Sequence, residues 1–472
     1  MRNLEARRGA GAAAGRPGTA NQHGLKRQKV LTVAKFVLCG AIPLSGTLLS
    51  GYGLVGAAGI TTAVLAIICC SLSVVMARLE NSARRFSLII DTVVFLVIAI
   101  ASLVFVAMLN SPEDTKLYRL NFPRYLGELD FVPSFVVLLW AYSSSALLSP
   151  IMPAASRPSP TPEIRQYFTP RAATVMAGMG AIGFLFAFSK SRMQEFSTRG
   201  EASGNGLESL LYWAGAAFVA YVILHWRKGD QRFFVACAVF YVIALFLTGN
   251  RSPLALVAVS FLLRAISSTN RKTVTAIAAS FPALLLTFSY QSTWRSMVSR
   301  GLPAGPSDVL HTIFLDPMRS FLGLGLDTID GHVLSRYVVS TGYDAQWADP
   351  LVALLNFIPR QIWLDKPDLL GSQIGREYLG LSAGGIFLSG PGYLSLVSGS
   401  VIGGVILFVA MVYALKLLVC MRHIDKLIVC AAIYLVARFS VAGDAFDIFL
   451  SIQVVVVFVL ARIFGRVIPW LK

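Results

Sequence analysis

Twelve apolar runs follow one another along this chain, most of them close to the ~20 residues that one helical crossing of a bilayer requires. They occupy 31–50, 54–77, 86–109, 131–148, 172–188, 210–226, 233–248, 253–268, 273–290, 393–418, 427–442 and 447–464. With 56% hydrophobic and only 14% charged residues, the 472 positions count spans rather than soluble domains. The fold class this predicts is an all-α polytopic membrane protein of about 12 transmembrane helices.

The formal charge of +17 does not point to nucleic acid, because the basic residues sit between the apolar runs and form no basic face on a folded module. Alternate connections are basic: Arg78, Arg84 and Arg85; Arg227, Lys228 and Arg232; Arg264, Arg271 and Lys272; Arg422 and Lys426. Placing that set in the cytoplasm, with the basic N-terminal tail and Arg462, Arg466 and Lys472, satisfies the positive-inside rule and predicts both ends inside. The expected organisation is a disordered basic cytoplasmic tail over 1–30, nine spans over 31–290, a large periplasmic loop over 291–391 and three spans over 392–472. The tail has no apolar segment or cleavage site, so no signal peptide is expected to be removed. All six cysteines fall in or at the ends of apolar runs, which suits packing rather than disulfides or a thiolate metal site. Charges inside spans are scarce; Asp91 reads as an interfacial or interhelical hydrogen-bonding residue.

The large loop has structure of its own. Apolar residues at helical spacing in Asp308 to Leu324 and in Thr328 to Val339 predict two short amphipathic helices, too short to span and expected on or near the membrane surface. Tryptophans in the stretch from Trp347 to Pro367 suit an interfacial segment.

Three stretches give the chain a resemblance to a known family: Thr248-Gly249-Asn250-Arg251, then Phe357-Ile358-Pro359-Arg360-Gln361-Ile362-Trp363-Leu364-Asp365-Lys366-Pro367, then Gly390-Pro391-Gly392-Tyr393. In these it resembles the bacterial oligosaccharide repeat-unit polymerases, the Wzy or O-antigen polymerase group. The third stretch has Gly390-Pro391 where the family usually carries Gly-Glu, so any role of that glutamate is absent here or moved to Glu377. The resemblance implies a GT-C-like bundle, multi-pass in the bacterial inner membrane. Its implied activity is that of an inverting, metal-independent glycosyltransferase without a cofactor, joining oligosaccharide repeats carried on undecaprenyl diphosphate at the periplasmic face. A flippase and a chain-length regulator are the implied partners beside the lipid bilayer; nucleic acid is not among them.

Such chemistry needs cations to stabilise the departing diphosphate, and arginine's planar fork suits phosphate oxygens. On the outer side the candidates are Arg251, Arg360, Lys366, Arg319 and Arg336, with Arg251 and Arg360 foremost because each lies at the edge of the hydrocarbon. The acceptor hydroxyl needs a base, for which His332, Asp327 and Asp344 are the candidates, with Asp330, Asp365 and His311 behind them. Two other activities fit the same pattern: an O-antigen ligase, and a transporter or flippase of lipid-linked sugar, the latter needing polar residues along a central cavity.

Overall fold

The structure, a computed structural model, describes residues 19–80, 84–110, 128–148, 170–189, 206–225, 232–247, 251–268, 304–315, 326–355, 362–380, 387–421, 425–443 and 445–467, with isolated residues between 275 and 302 and Ile358. Every regular element among them is a helix. Eight come before the large loop: α1 (Thr19–Gly51), α2 (Val55–Leu79), α3 (Arg84–Asn110), α4 (Glu128–Leu147), α5 (Pro170–Ser189), α6 (Gly206–His225), α7 (Arg232–Leu247) and α8 (Arg251–Ser267). The loop contributes α9 (Pro306–Leu315), α10 (Leu326–Ser340), α11 (Asp349–Leu354) and α12 (Leu370–Leu379). After it come α13 (Gly390–Ser398), α14 (Val401–Cys420), α15 (Lys426–Ala442) and α16 (Ala445–Val467).

Four segments are long and apolar enough to cross a membrane, Gln28–Gly51, Val55–Leu79, Arg84–Asn110 and Val401–Cys420, so by length and composition the chain is that of a membrane protein. How residues are sorted between inside and outside agrees. On α2 the buried face is small or hydroxylic, with Ala58, Gly59, Thr62, Ala63, Ala66, Cys69 and Ser73, while Ile60, Val64, Ile67 and Ile68 are exposed. In water that arrangement would be inverted; against lipid it is stable, because small residues let helices approach closely and large apolar ones lose nothing by facing acyl chains.

The helices pack as two groups. In one, α2 packs on α1 and α3, α4 packs on α1 and α3, and α14 covers α3 and α4. In the other, α6 packs on α5, α7 and α8, and α16 covers α5 and α6. Joining them is α15, which touches α3 on one side and α6, α8 and α16 on the other. It is buried along most of its length, with Trp213 of α6 edge-on to its Tyr434 at 5.7 Å between ring centroids. The α5–α6 crossing is closed by two glycines: a Cβ on Gly180 would lie 2.6 Å from Gly215 Cα. Gly180→Val is therefore expected to separate the pair and cost about 1–3 kcal/mol, measurable as a lower melting temperature of the detergent-solubilised protein. An unchanged melting temperature would contradict the close crossing.

Residues 19–30 of the tail expected to be disordered are helical, as the first turns of α1, and two further expectations from the sequence need correction. The apolar run 393–418 is not one span, since the chain breaks at Gly399, which adopts φ +68 at the end of α13, and restarts with Ser400 capping α14. A Ser-Gly-Ser sequence supplies both the left-handed residue and the new cap. The second correction concerns the loop helices. Most of α9 does lie open, with Phe314 and Leu315 exposed, but α10 packs against α3, α4, α13 and α15, and Thr328 to Ser335 are all buried. It is an inserted element of the bundle, not a surface helix. The run 273–290 falls almost wholly outside the described residues.

Candidate functional site at one end of the bundle

The α10 helix enters where α4 begins, α15 ends and α13 begins. Thr328 Oγ1 donates to Val441 O of α15 at 3.2 Å, and Arg336 Nη1 donates to Ser134 Oγ of α4 at 3.0 Å. Close approach to the segment before α13 is possible because residue 331 is glycine: a Cβ there would stand 2.2 Å from Phe387 O. One turn on, Ser335 Oγ donates to Gly331 O at 2.7 Å and lies 3.4 Å from Leu388 O.

The segment 387–389 is tied down from below. The amides of Leu388 and Ser389 both donate to Ala442 O, at 2.9 and 3.1 Å, completing the C-terminal end of α15. Ser389 has φ 60, the single positive φ at a non-glycine residue among those described, and its side chain accepts from Gly392 N at 3.2 Å as the cap of α13. Strain of that kind persists only where surrounding contacts hold it. Here two amide bonds and a cap do so. The Gly390-Pro391-Gly392-Tyr393 stretch is thus the buried first turn of α13.

Of the base candidates, His332 departs most from a solvated histidine: it is fully buried, and neither ring nitrogen has a hydrogen-bond partner among the described residues. Burial, aided by the nearby charge of Arg336, pushes its pKa down to about 3, so it is neutral at pH 7. It has the protonation state of a base and is closed off from solvent. Asp330, beside it on α10, is also fully buried. Asp344 is exposed in the turn after α10, and Asp365 and His311 are exposed as well. Asp327 opens α10, with its side chain outside the described residues.

Among the cation candidates, Arg336 is half-buried at this end of the bundle, and Lys366 Nζ donates to Ile358 O at 2.9 Å within the loop. Arg251 is the first residue of α8, its side chain outside the described residues, and Arg360 and Arg319 lie outside them altogether. Arg438 was missed by the sequence reading. Its guanidinium stands over the Phe387 ring at 4.9 Å, so a second arginine reaches the segment that α10 covers. An arginine one turn from the end of an apolar run was the available signal.

Loop and bundle meet again at Asp349, the first residue of α11. Its carboxylate accepts from Tyr393 Oη at 2.7 Å and from the amide of Leu370 at 2.9 Å, tying the start of α12 to α13. Burial raises its pKa, and those two bonds oppose the rise.

No family model, curated protein or solved structure matches this chain. Whatever function it has must therefore be argued from its own residues. Among the described residues no group of three or more His, Cys, Asp or Glu is placed to hold a metal ion.

At the other end of the first group lies a cluster that the scarcity of charged residues in the spans did not suggest. Lys35 of α1 and Lys416 of α14 each pair with one oxygen of Asp91 of α3, all three being buried. Lys416 Nζ also donates to Leu148 O at 2.9 Å and to Ser145 O, closing the C-terminal end of α4. Asp91 is an interhelical residue, as expected, but one of a charged triad. Fourteen residues separate it from Phe105, whose ring stacks on Phe135 of α4 near the α10 end, so about 21 Å of helix lies between the two polar regions.

Proposed function

We propose that this chain is a glycosyltransferase of the repeat-unit polymerase kind, joining oligosaccharides carried on undecaprenyl diphosphate. In this reading the chain crosses the bacterial inner membrane about twelve times, with both ends in the cytoplasm and the α9–α12 loop in the periplasm. One observation carries it: an inter-span segment, α10, brings Asp330, His332 and Arg336 into the bundle at the end where Arg438 also lies, well apart from the Lys35–Asp91–Lys416 triad. Intramembrane polar groups are costly and mark function.

The division of labour follows from chemistry. Arg336 and Arg438, joined by the sequence candidates Arg251, Arg360, Arg319 and Lys366, would neutralise the diphosphate as its bond to the anomeric carbon lengthens. An acceptor hydroxyl attacks that carbon and gives its proton to a base. Among the described candidates, exposed Asp344 meets the access requirement as the chain stands, whereas His332 is enclosed.

A second reading has a specific observation in its favour. The Lys35–Asp91–Lys416 triad is the sort of buried charge cluster that a transporter of lipid-linked sugar places on its path. Deletion in the producing bacterium separates the two. A polymerase mutant keeps single repeats on the lipid A core and loses the ladder on a polysaccharide gel, whereas a flippase or ligase mutant has neither. Complementation with Arg336→Ala is expected to lower polymer formation about 10²–10³-fold at normal protein level. Wild-type ladders from Arg336→Ala, Arg251→Ala and Arg360→Ala alike would remove the diphosphate roles.

A further inference from the structure

We propose that Tyr337, Tyr343 and Tyr378, with the carboxylates of Asp344 and Glu377, form an oligosaccharide-binding subsite on the loop side of α10. The proposal deepens the polymerase reading and rests on it for which glycan arrives, namely the acceptor chain rather than the lipid diphosphate.

Three separate segments bring the rings together. Tyr337 comes from the last turns of α10, Tyr343 from the turn after it and Tyr378 from α12. Tyr378 is the hub: its ring centroid lies 6.3 Å from that of Tyr337, with an interplanar angle of 89°, and 6.3 Å from that of Tyr343, at 69°. Edge-on packing of this kind covers at most one face of one ring in each pair, and all three tyrosines are only partly buried. Two of their hydroxyls reach polar neighbours. Tyr378 Oη lies 3.3 Å from Thr341 Oγ1, and Tyr343 Oη donates to Gln373 Oε1 at 3.5 Å.

The chemistry of this surface selects its ligand. Pyranose rings offer an apolar C–H face to an aromatic ring and a rim of hydroxyls to acceptors. Asp344 and Glu377 are exposed, and with Asp349 they lie close enough to Tyr343 to act on it electrostatically. Burial first, then those carboxylates, holds the Tyr343 phenol above its ordinary value, so it stays a hydroxyl donor. Acidic groups among aromatic rings repel a diphosphate or an anionic headgroup and accept from sugar hydroxyls. The tyrosine patch and the arginine-bearing end of α10 therefore divide the two halves of a glycolipid: Arg336 and Tyr337 are adjacent in sequence, one bonded to α4 and the other facing α12. Continuity with α13 through Asp349 and Tyr393 fixes the patch relative to the bundle.

The test uses full-length protein in lipid nanodiscs and, as probe, the repeat oligosaccharide released by mild acid from the producing strain's lipid carrier, with saturation-transfer NMR and calorimetry as readouts. Wild type is expected to bind it. Tyr343→Ala/Tyr378→Ala is expected to weaken binding at least about tenfold at an unchanged melting temperature, and Tyr378→Phe, which keeps the ring, to stay within about threefold. Inorganic pyrophosphate is expected not to compete. Unchanged affinity in the double alanine variant, no binding by wild type, or competition by pyrophosphate would each overturn the subsite. Such a failure combined with loss of the ladder on deletion would leave the polymerase reading standing. A normal ladder on deletion would end that reading whatever the binding shows.

Discussion

Asp91→Asn is expected to destabilise the protein by about 3–5 kcal/mol, a large part of the 5–15 kcal/mol that holds a typical domain folded. The Asp91 carboxylate is the shared counter-ion of Lys35 and Lys416, with one oxygen for each ammonium. An amide of the same shape keeps the volume but removes the charge. Two ammonium groups then remain buried beside each other among Cys39, Phe95 and the end of α4. Two lysines on one aspartate already carry a net positive charge; without the aspartate that imbalance doubles. Fluorescence-detected gel filtration after heating should show a markedly lower melting temperature or little folded protein. Replacing the set together, as Lys35→Met/Asp91→Leu/Lys416→Met, is expected to recover much of the loss, because a matched apolar set avoids desolvating three ions. Should Asp91→Asn melt like wild type, the triad has no part in holding α1, α3, α4 and α14 together.

An effect of similar size is expected from Gly443→Ala. At φ +48, residue 443 is in the left-handed region that disfavours a side chain, and an added Cβ would lie 1.7 Å from Ser389 C and 1.9 Å from its oxygen. No rotamer relieves a clash with backbone. Either α15 separates from the 387–389 segment, losing the two amide bonds to Ala442 O, or Ser389 leaves its strained conformation and uncaps α13. Because α10 covers the same segment through Gly331, the disturbance reaches His332 and Arg336. Loss of polymer is therefore expected along with a lower melting temperature. Normal stability and a normal ladder together would show that the close approach of Gly443 to Ser389 is dispensable.

Much of the architecture was legible because a membrane span is a local property. A run of apolar residues specifies its own helix wherever backbone groups have no water to bond to, and α2 to α8, α15 and α16 begin and end within a few residues of the runs read from the sequence, while α1 ends with its run but starts twelve residues earlier. The polar interior was much less so. Lys35 lies 56 positions from Asp91, and nothing in either local pattern tells that the two meet. In α10 the alternation of Ile329, Val333, Leu334 and Val338 with polar residues suits a helix lying on a surface. What buries its polar residues as well is the reception prepared by Gly331, Ser134, Val441 and the bonded 387–389 segment.

By itself the amino-acid sequence determined roughly where most of the apolar helices among the described residues turn and which residue types were available for charge chemistry, because hydrophobic length and the backbone's need for internal hydrogen bonds act within single segments. Tertiary structure alone decided that His332 is enclosed, that Asp91 is shared by two lysines, that Arg438 joins Arg336 at one end, and that three tyrosines from separate segments face one another. Burial and electrostatic pairing are properties of neighbours, and those neighbours come from distant parts of the chain.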